Sequence, residues 1–309
     1  GTCEDGAGQG WLQCLPVNAG EVYLLGISNF STSTFPGFSV NFGASPIDYT
    51  VPVRVWTGGA GTTAWNTPAN WGGCSVPDAC TQDVVIYSGA YNQPVIAAAE
   101  TWTVRDITVS AGASLTVNGV LNVCGHLTVN GQLQGTGWIV FVGGAAYPVQ
   151  EIRGVLTGAT QYIPNLRINR AAPGTVRLMT NVQVAQHVQV SNGTLDLNGK
   201  VLYIGGNLSA AAGTGAVLSA PTASKVTFNG GAAQTYSDPD SDPLYDVEVN
   251  QPTPSTVTLN NTMRITNSLT LTSGVMVAPT ALTREVRVEN PAPGAVTPGN
   301  PNSLSLIHI

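Results

Sequence analysis

Residues 104–131 read VRDITVSAGASLTVNGVLNVCGHLTVNG, and this stretch decides the fold. It repeats the unit apolar–polar–Val four times, with Gly or Asn-Gly turns between the units, at 107–109, 115–117, 121–123 and 127–129. Alternation of apolar and polar residues is typical of β-strands with one buried face. Because strands this short cannot bury that face alone, whereas stacked coils can, the stretch predicts a parallel β-solenoid.

The composition excludes several classes of protein. Only 9% of the 309 residues are charged, against about 25% in an ordinary globular domain. Long surface helices need more charged residues than that. Eleven basic side chains and a net charge of −6 make nucleic acid an unsuitable partner. Since no run of about 18 apolar residues occurs, we expect no membrane insertion, and 43% hydrophobic content argues against disorder.

A longer repeat lies over the short one. Four strand-like segments recur 81 positions later without a gap. The first set lies at 165–169, 175–178, 182–184 and 187–193. The second set lies, in the same order, at 246–250, 256–259, 263–265 and 268–274. This match predicts two related multi-coil blocks, at about 141–208 and 228–290. Their inward apolar positions, which we expect to form the core, include Leu115, Leu121, Leu127, Leu166, Ile168, Leu195, Leu269 and Leu271.

Charge and pattern together divide the chain. Residues 1–103 carry one basic and seven acidic side chains, whereas residues 104–309 carry ten of each sign. We therefore predict an all-β protein, a right-handed parallel β-solenoid or β-helix preceded by a small, jelly-roll-like β-sandwich. Its parts would be a β-sandwich portion, a Trp- and Cys-rich cap, the solenoid and a Pro/Gly-rich tail, at 1–52, 53–103, 104–290 and 291–309.

Five cysteines indicate local disulfides. Cys3 with Cys14 and Cys74 with Cys80 form two short-range pairs in Gly/Pro/Asp-rich loops without a nearby His. Their spacing does not suit a zinc site, whereas two local disulfides suit an oxidising compartment. Cys124 is left over, and we expect it to be a small buried side chain.

Trp56, Trp65 and Trp71 form an aromatic cluster with two interpretations. In the first, the three rings are an exposed platform on which a sugar ring stacks, and the protein is a carbohydrate-binding module. They could equally cap the end of the solenoid, with each indole N–H hydrogen-bonded locally. We favour the cap.

The loop at 237–246 contains one candidate metal site. Asp238, Asp240 and Asp242 alternate along it, and Asp246 follows. Hard oxygen ligands at that spacing suit Ca²⁺, although the loop lacks the Gly and terminal Glu of an EF-hand. The competing interpretation is a solvated acidic turn built on Asp-Pro. No cofactor is required by the sequence, and calcium is the one candidate.

Asn-X-Ser/Thr sequons provide candidate glycosylation sites at Asn29, Asn192, Asn207 and Asn260. In a chain so rich in Asn and Thr, chance matches are expected, so glycan attachment is a hypothesis here.

Five motifs carry a resemblance to a known family. They are Val55-Trp-Thr-Gly58, Trp65-Asn-Thr-Pro-Ala-Asn-Trp71, Cys74-Ser-Val-Pro77, Asp83-Val-Val-Ile86 and Pro94-Val-Ile96. Together they resemble a pattern in large, adhesin-like cell-surface β-solenoid proteins that gliding bacteria export by the type IX secretion system. Residues 19–30 are similar to the end of a jelly-roll-like module that often precedes this pattern. The resemblance implies an architecture more than an activity.

The chain departs from this family at its end. The C-terminal sorting domain is absent, and residues 304–309, LSLIHI, stand where similar chains continue into a further coil. We expect an incomplete sequence. The alternative is that this apolar tail is a strand donated to a neighbour.

No catalytic constellation is visible. The acidic residues of the solenoid, such as Asp106, Glu151 and Asp196, are scattered, and the chain has three His. A polysaccharide lyase or hydrolase, which needs clustered acid–base groups, is therefore a weaker alternative. We predict a non-enzymatic, extracellular or cell-surface structural or adhesive protein, a spacer rod or a subunit of a filament-like assembly. Its partners would be other copies of itself or cell-surface and matrix components, including glycans.

Overall fold

The computed structural model describes residues 53–90, 92–143, 147–171, 173–213, 215–252, 255–278 and 284–297. These residues form a parallel β-solenoid of about nine turns, which confirms the predicted fold class. Their one helical segment is a 3₁₀ turn at Pro68–Asn70, and they include no helix long and apolar enough to cross a membrane. The predicted β-sandwich at 1–52 and residues 298–309 lie outside the described residues.

Parallel strands stack on three faces of the solenoid. Face 1 contains β1 (Val53–Trp56), β2 (Asp83–Ile86), β5 (Ile107–Val109), β8 (Leu127–Val129), β11 (Val149–Gly154), β13 (Thr175–Leu178) and β18 (Ala216–Ser219). Face 2 contains β3 (Val95–Ile96), β6 (Ser114–Val117), β9 (Gln132–Gly135), β14 (Val182–Val184), β16 (Val201–Ile204), β19 (Lys225–Phe228) and β26 (Val296–Thr297). Face 3 contains β4 (Thr101–Val104), β7 (Val120–Val123), β10 (Trp138–Phe141), β12 (Asn165–Asn169), β17 (Leu208–Ala210), β20 (Gln234–Ser237), β22 (Thr256–Leu259) and β24 (Val275–Val277).

Three long strands bend around a corner and pair on both sides of the bend. β15 (Val188–Asp196) continues face 3 with its first half and face 1 with its second. The second halves of β21 (Leu244–Asn250) and β23 (Met263–Ser273) continue face 2. The start of β23 pairs with β25 (Val286–Val288).

The core is the inside of the coil stack. All eight of the predicted inward side chains are at most 5% exposed. They lie in register with apolar residues of adjacent coils, as Leu121 does with Ile139. Burying each such side chain stabilises the fold by about 1.5–3 kcal/mol, so the alternating pattern alone explains where the core lies.

The two related blocks do not stack face on face. β12 lies on face 3, but the matching segment of the second block lies on face 2, in the second half of β21. Likewise β13 lies on face 1 and its counterpart β22 on face 3. The second block is therefore rotated by one face, because the chain between matching segments does not make a whole number of turns. Equivalent surfaces of the blocks point in different directions.

The solenoid begins earlier than predicted. β1 already pairs with β2, and β2 pairs with β5, in one continuous parallel ladder. Residues 53–103 are thus the first turns of the rod, and the change in charge near residue 103 has no counterpart in the ladder. At the other end, β26 pairs with β23, so the ladder extends into the predicted tail.

Candidate functional site

The tryptophan cluster fills the interior of the first turn. Trp56, Trp65 and Trp71 are at most 1% exposed, and Trp71 packs edge-on against both of the others. The Trp56 indole N–H donates to the carbonyl of Asn92 at 2.5 Å, and that of Trp71 donates to the carbonyl of Trp65 at 2.7 Å. The expectation of a sugar platform is wrong for these three indoles, because a buried ring presents no face to a ligand.

The predicted disulfide between Cys74 and Cys80 is wrong. Cys80 is bonded to Cys124, with Cα atoms 5.4 Å apart, so Cys124 is not left over. The reason is the stacking of successive corners. Arg105 N–H donates to Gln82 O at 2.7 Å, and Gly125 N–H donates to Arg105 O at 2.8 Å, which brings two distant loops together. Cys74 is disulfide-bonded as well, while Cys3 and Cys14 lie outside the described residues.

The acidic loop at 237–246 acts as a clasp, by which we mean that its carboxylates hydrogen-bond to the loop itself and to the preceding coil. The buried Asp238 carboxylate accepts the hydroxyl of Tyr236 at 3.1 Å and the N–H groups of Asp240 and Asp242 at 3.3 and 2.9 Å. Asp240 and Asp242 in turn accept backbone N–H groups of the preceding coil, from Gly213 and Leu218, each at 2.7 Å.

Asp246 does not join that loop. Its carboxylate accepts hydrogen bonds from Asn267 Nδ2, at 2.7 Å, and from the hydroxyl of Ser268. Within the described ranges, no group of three or more His, Cys, Asp or Glu is arranged to hold a metal ion. Oxygens of Asp238, Asp240 and Asp242 accept N–H and O–H groups of the protein itself, and calcium binding by this loop stays a prediction.

Burial raises the pKa of two groups in this loop. Desolvation, followed by the nearby Asp238 carboxylate, raises the pKa of Tyr236 far above its usual range, so the phenol stays a neutral donor. Desolvation also raises the pKa of Asp242, with the charges of Asp238 and Asp240 in the same direction, while the Leu218 N–H and Arg264 oppose it.

Asp242→Asn is expected to stabilise the protein at pH 7. A carboxyl whose folded pKa is raised favours folding at low pH and loses that contribution as the pH rises through the folded pKa. The gain should be at most about 1 kcal/mol, since water screens a half-exposed charge, and it should vanish by about pH 3, where the carboxyl is protonated in the folded and the unfolded state. Urea unfolding at both pH values measures it. Asp242→Ala also removes the acceptor for the Leu218 N–H and should therefore destabilise the protein at both pH values. If Asp242→Asn were no more stable than the wild-type protein at pH 7, the raised pKa of Asp242 would be contradicted.

The corner between faces 3 and 1 brings several ionisable side chains together. Arg105 forms a two-pronged ion pair with Asp83, and this hydrogen bond raises the pKa of Arg105. Tyr147 donates its hydroxyl to Asp106 at 3.0 Å. Its pKa is raised, first by desolvation and then by that hydrogen bond. His126 Nδ1 accepts the N–H of Glu151 at 3.0 Å. The Arg105–Asp83 and Glu151–His126 contacts join adjacent coils, whereas the Tyr147–Asp106 contact spans the coil that lies between them.

Buried amides join adjacent coils elsewhere, in contacts that were not predicted from the sequence. Gln150 Nε2 donates to the carbonyls of Val123 and Gly125, each at 2.9 Å. Asn165 Nδ2 likewise donates to Thr136 and Gly137, at 3.0 and 2.9 Å. An amide at an inward strand position is the only signal in the sequence, and it does not tell which carbonyls are reached.

Arg170 is a buried cation held by carbonyl groups. Its guanidinium donates to the carbonyl of Thr175 at 2.7 Å and to that of Tyr147 at 2.5 Å, and burial lowers its pKa. Gln251 stands at the matching position of the second block and is also buried. The same corner position thus takes a long polar side chain in both blocks, which indicates a structural role.

The scattered acids that could have served catalysis are engaged one by one. Glu151 pairs with Arg153, and Asp196 pairs with Arg177 at 2.8 Å. Glu151 also lies in register with Arg177 on face 1. Charges on neighbouring coils therefore alternate in sign, which avoids the repulsion that like charges repeated at about 4.8 Å would cause.

The described sequons differ in accessibility. Asn260 is exposed, whereas Asn192 and Asn207 are half-buried. The Asn207 Oδ1 accepts the N–H of Thr235 at 2.9 Å. Asn29 lies outside the described residues, and glycosylation at any of the four stays a prediction.

A surface cluster on face 3 was not predicted. Trp138 and Arg167 occupy outward positions of β10 and β12, and the Arg167 guanidinium carbon lies 4.4 Å from the centre of the Trp138 ring. The His187 ring is stacked near that of Trp138, at 6.5 Å between centres. Trp and Arg at polar positions of an alternating pattern are the sequence signal, but only the coil stacking shows that they meet.

Comparison with protein-family models, with curated proteins and with solved structures finds no match to this chain. The molecule is a β-solenoid, a class of protein that the stacked coils define.

Proposed function

We propose that the chain is a non-enzymatic structural and adhesive module of an extracellular surface protein, working as a spacer rod or as a subunit of a filament-like assembly. One observation carries the proposal. The coils stack in three parallel sheets that together span β1 to β26, and their corners are joined by hydrogen bonds and a disulfide. Such construction favours stiffness over the mobility that substrate turnover commonly requires.

The pairing of charges supports a structural role. Arg105, Arg177, Lys225 and Arg264 each form an ion pair with an acid on a neighbouring coil, at 3.3 Å for Lys225 with Glu248 and 2.9 Å for Arg264 with Glu289. An enzyme that cleaves polysaccharides would instead keep acid–base groups together in a groove. That activity remains the weaker alternative.

Location outside the cytoplasm follows from the same proposal. The Cys80–Cys124 disulfide suits an oxidising compartment. The resemblance of residues 55–96 to exported surface proteins favours the cell surface and export by the type IX secretion system.

Electron microscopy of the purified chain at rising concentration tests the proposal. About nine turns spaced at about 4.8 Å should give a rod of roughly 40 Å for the solenoid. End-to-end chains of particles would support the filament subunit, and single rods the spacer. A compact particle without a rod, or release of reducing sugar from a panel of polysaccharides, would contradict it.

A further inference from the structure

Charged side chains are distributed unequally among the three faces. Faces 1 and 2 carry the ion pairs described above. The strands of face 3 carry a single charged side chain, Arg167, among Thr, Ser, Asn, Gln and apolar residues. Arg167 has no acidic partner in the described part of the chain. Its positive charge is therefore uncompensated on an otherwise neutral surface.

The hydrogen-bonding capacity of Arg167 is largely unused. Its Nε donates to Gln189 Oε1 at 2.7 Å, and this bond, with the Trp138 ring beneath the guanidinium, fixes the plane of the group. Within the described ranges, neither Nη group has a hydrogen-bond partner. Neither of them is buried from solvent, so both can reach a ligand. A fixed guanidinium with two free Nη groups is suited to a carboxylate, which it binds with two parallel hydrogen bonds.

The two rings beside Arg167 add further donors. His187 Nδ1 accepts the N–H of Asn207 at 3.0 Å, which leaves Nε2 as the donor nitrogen of the neutral ring. Neither that nitrogen nor Trp138 Nε1 has a partner among the described residues. The cluster thus presents hydrogen-bond donors and aromatic surface, and no carboxylate that would repel an anion.

We propose that Trp138, Arg167 and His187 form a binding site for a polysaccharide that carries carboxylates, a polymer containing uronic acid. The Arg167 guanidinium would bind a sugar carboxylate, and the indole and imidazole would contact the sugar ring and donate to its hydroxyls. This inference rests on the proposed adhesive function, because it names the partner of the rod. It also moves the carbohydrate site from the buried tryptophans of the first turn to the outer surface of face 3.

Calorimetric titration of the full chain with oligogalacturonate, and with a neutral galactan oligomer of equal length, tests the site. The protein should bind the acidic oligomer and not the neutral one. Arg167→Gln should weaken binding about tenfold or more, since a charge-assisted hydrogen bond is lost. Trp138→Leu should weaken it as well. Arg177→Gln removes the same charge on face 1 and should leave affinity within about twofold.

Three results would overturn the inference: no binding of oligogalacturonate, equal binding of the neutral oligomer, or equal losses in Arg167→Gln and Arg177→Gln, which would indicate attraction to charge in general. Circular dichroism of each variant shows whether it is folded. If electron microscopy still shows the rod while binding fails, only the ligand is refuted; a missing rod refutes the proposed function itself.

Discussion

Gly137→Ala is expected to lower the free energy of unfolding by about 3 kcal/mol or more. Gly137 lies at the corner before β10, where one coil crosses directly over the coil below. A methyl group there would overlap the carbonyl oxygen of Gly119 and lie 2.6 Å from the carbonyl carbon of Asn118. Neither backbone can retreat, because Gly137 N–H donates to Val117 O and Trp138 N–H donates to Gly119 O, each at 2.8 Å. Urea unfolding followed by circular dichroism measures the loss.

Gly89→Ala is the matched control. A Cβ at Gly89 would meet nothing within 4 Å, and the residue lies in an exposed turn. Its substitution should change the free energy of unfolding by no more than about 0.5 kcal/mol. If Gly137→Ala behaved like Gly89→Ala, the coils would not be in contact at this corner, and the stacking register of β7 under β10 would have to be revised.

The double substitution Cys80→Ser/Cys124→Ser is expected to cost about 4 kcal/mol. The disulfide joins residues 44 positions apart, and closing a loop of that size removes about this much conformational freedom from the unfolded chain, in the chain-entropy account. It also ties the loop before β2 to the end of β7, so the loss should appear first in the turns nearest the start of the rod. Hydrogen exchange would show earlier opening of β2 and β5 in the variant.

Peptide mapping without reduction identifies the bond directly. A protease digest of the native protein should contain one peptide pair that joins Cys80 to Cys124, which reduction separates. Each single Ser variant should lose the pair and reach the stability of the double variant. A fragment that joins Cys74 to Cys80 instead would restore the pairing expected from sequence and remove this explanation of stability.

Prediction from sequence succeeded where a property depends on neighbouring residues in the chain. Leu115, Leu121 and Leu127 are buried because alternate residues of a strand point to opposite sides. The Asn-Gly turns near 118 and 130 mark corners for the same local reason. Whether Trp56, Trp65 and Trp71 lie inside or outside could not be decided in this way, since Trp65 and Trp71 lie outside the regular strands and Trp56 is the last residue of β1.

Prediction failed where the answer depends on which coils become neighbours. On face 1, Ile152 is in register with Leu178, whereas Val176 is in register with Leu195, so the second of these coils is the shorter one. With coils of such unequal length, sequence distance does not tell which residues meet. Cys80 and Cys124, and the cluster of Trp138, Arg167 and His187, are therefore invisible as partners in the sequence.

The amino-acid sequence by itself determined that this protein is a parallel β-solenoid with few charged residues, because the two-residue alternation of β-strands and the turns between them are local properties. The tertiary structure alone decided the disulfide pairing, the rotation of the second block by one face, the use of Asp238, Asp240 and Asp242 as a clasp, and the meeting of Arg167 with Trp138. Each of these depends on the summed lengths of whole coils, since those lengths set which residues lie one above another.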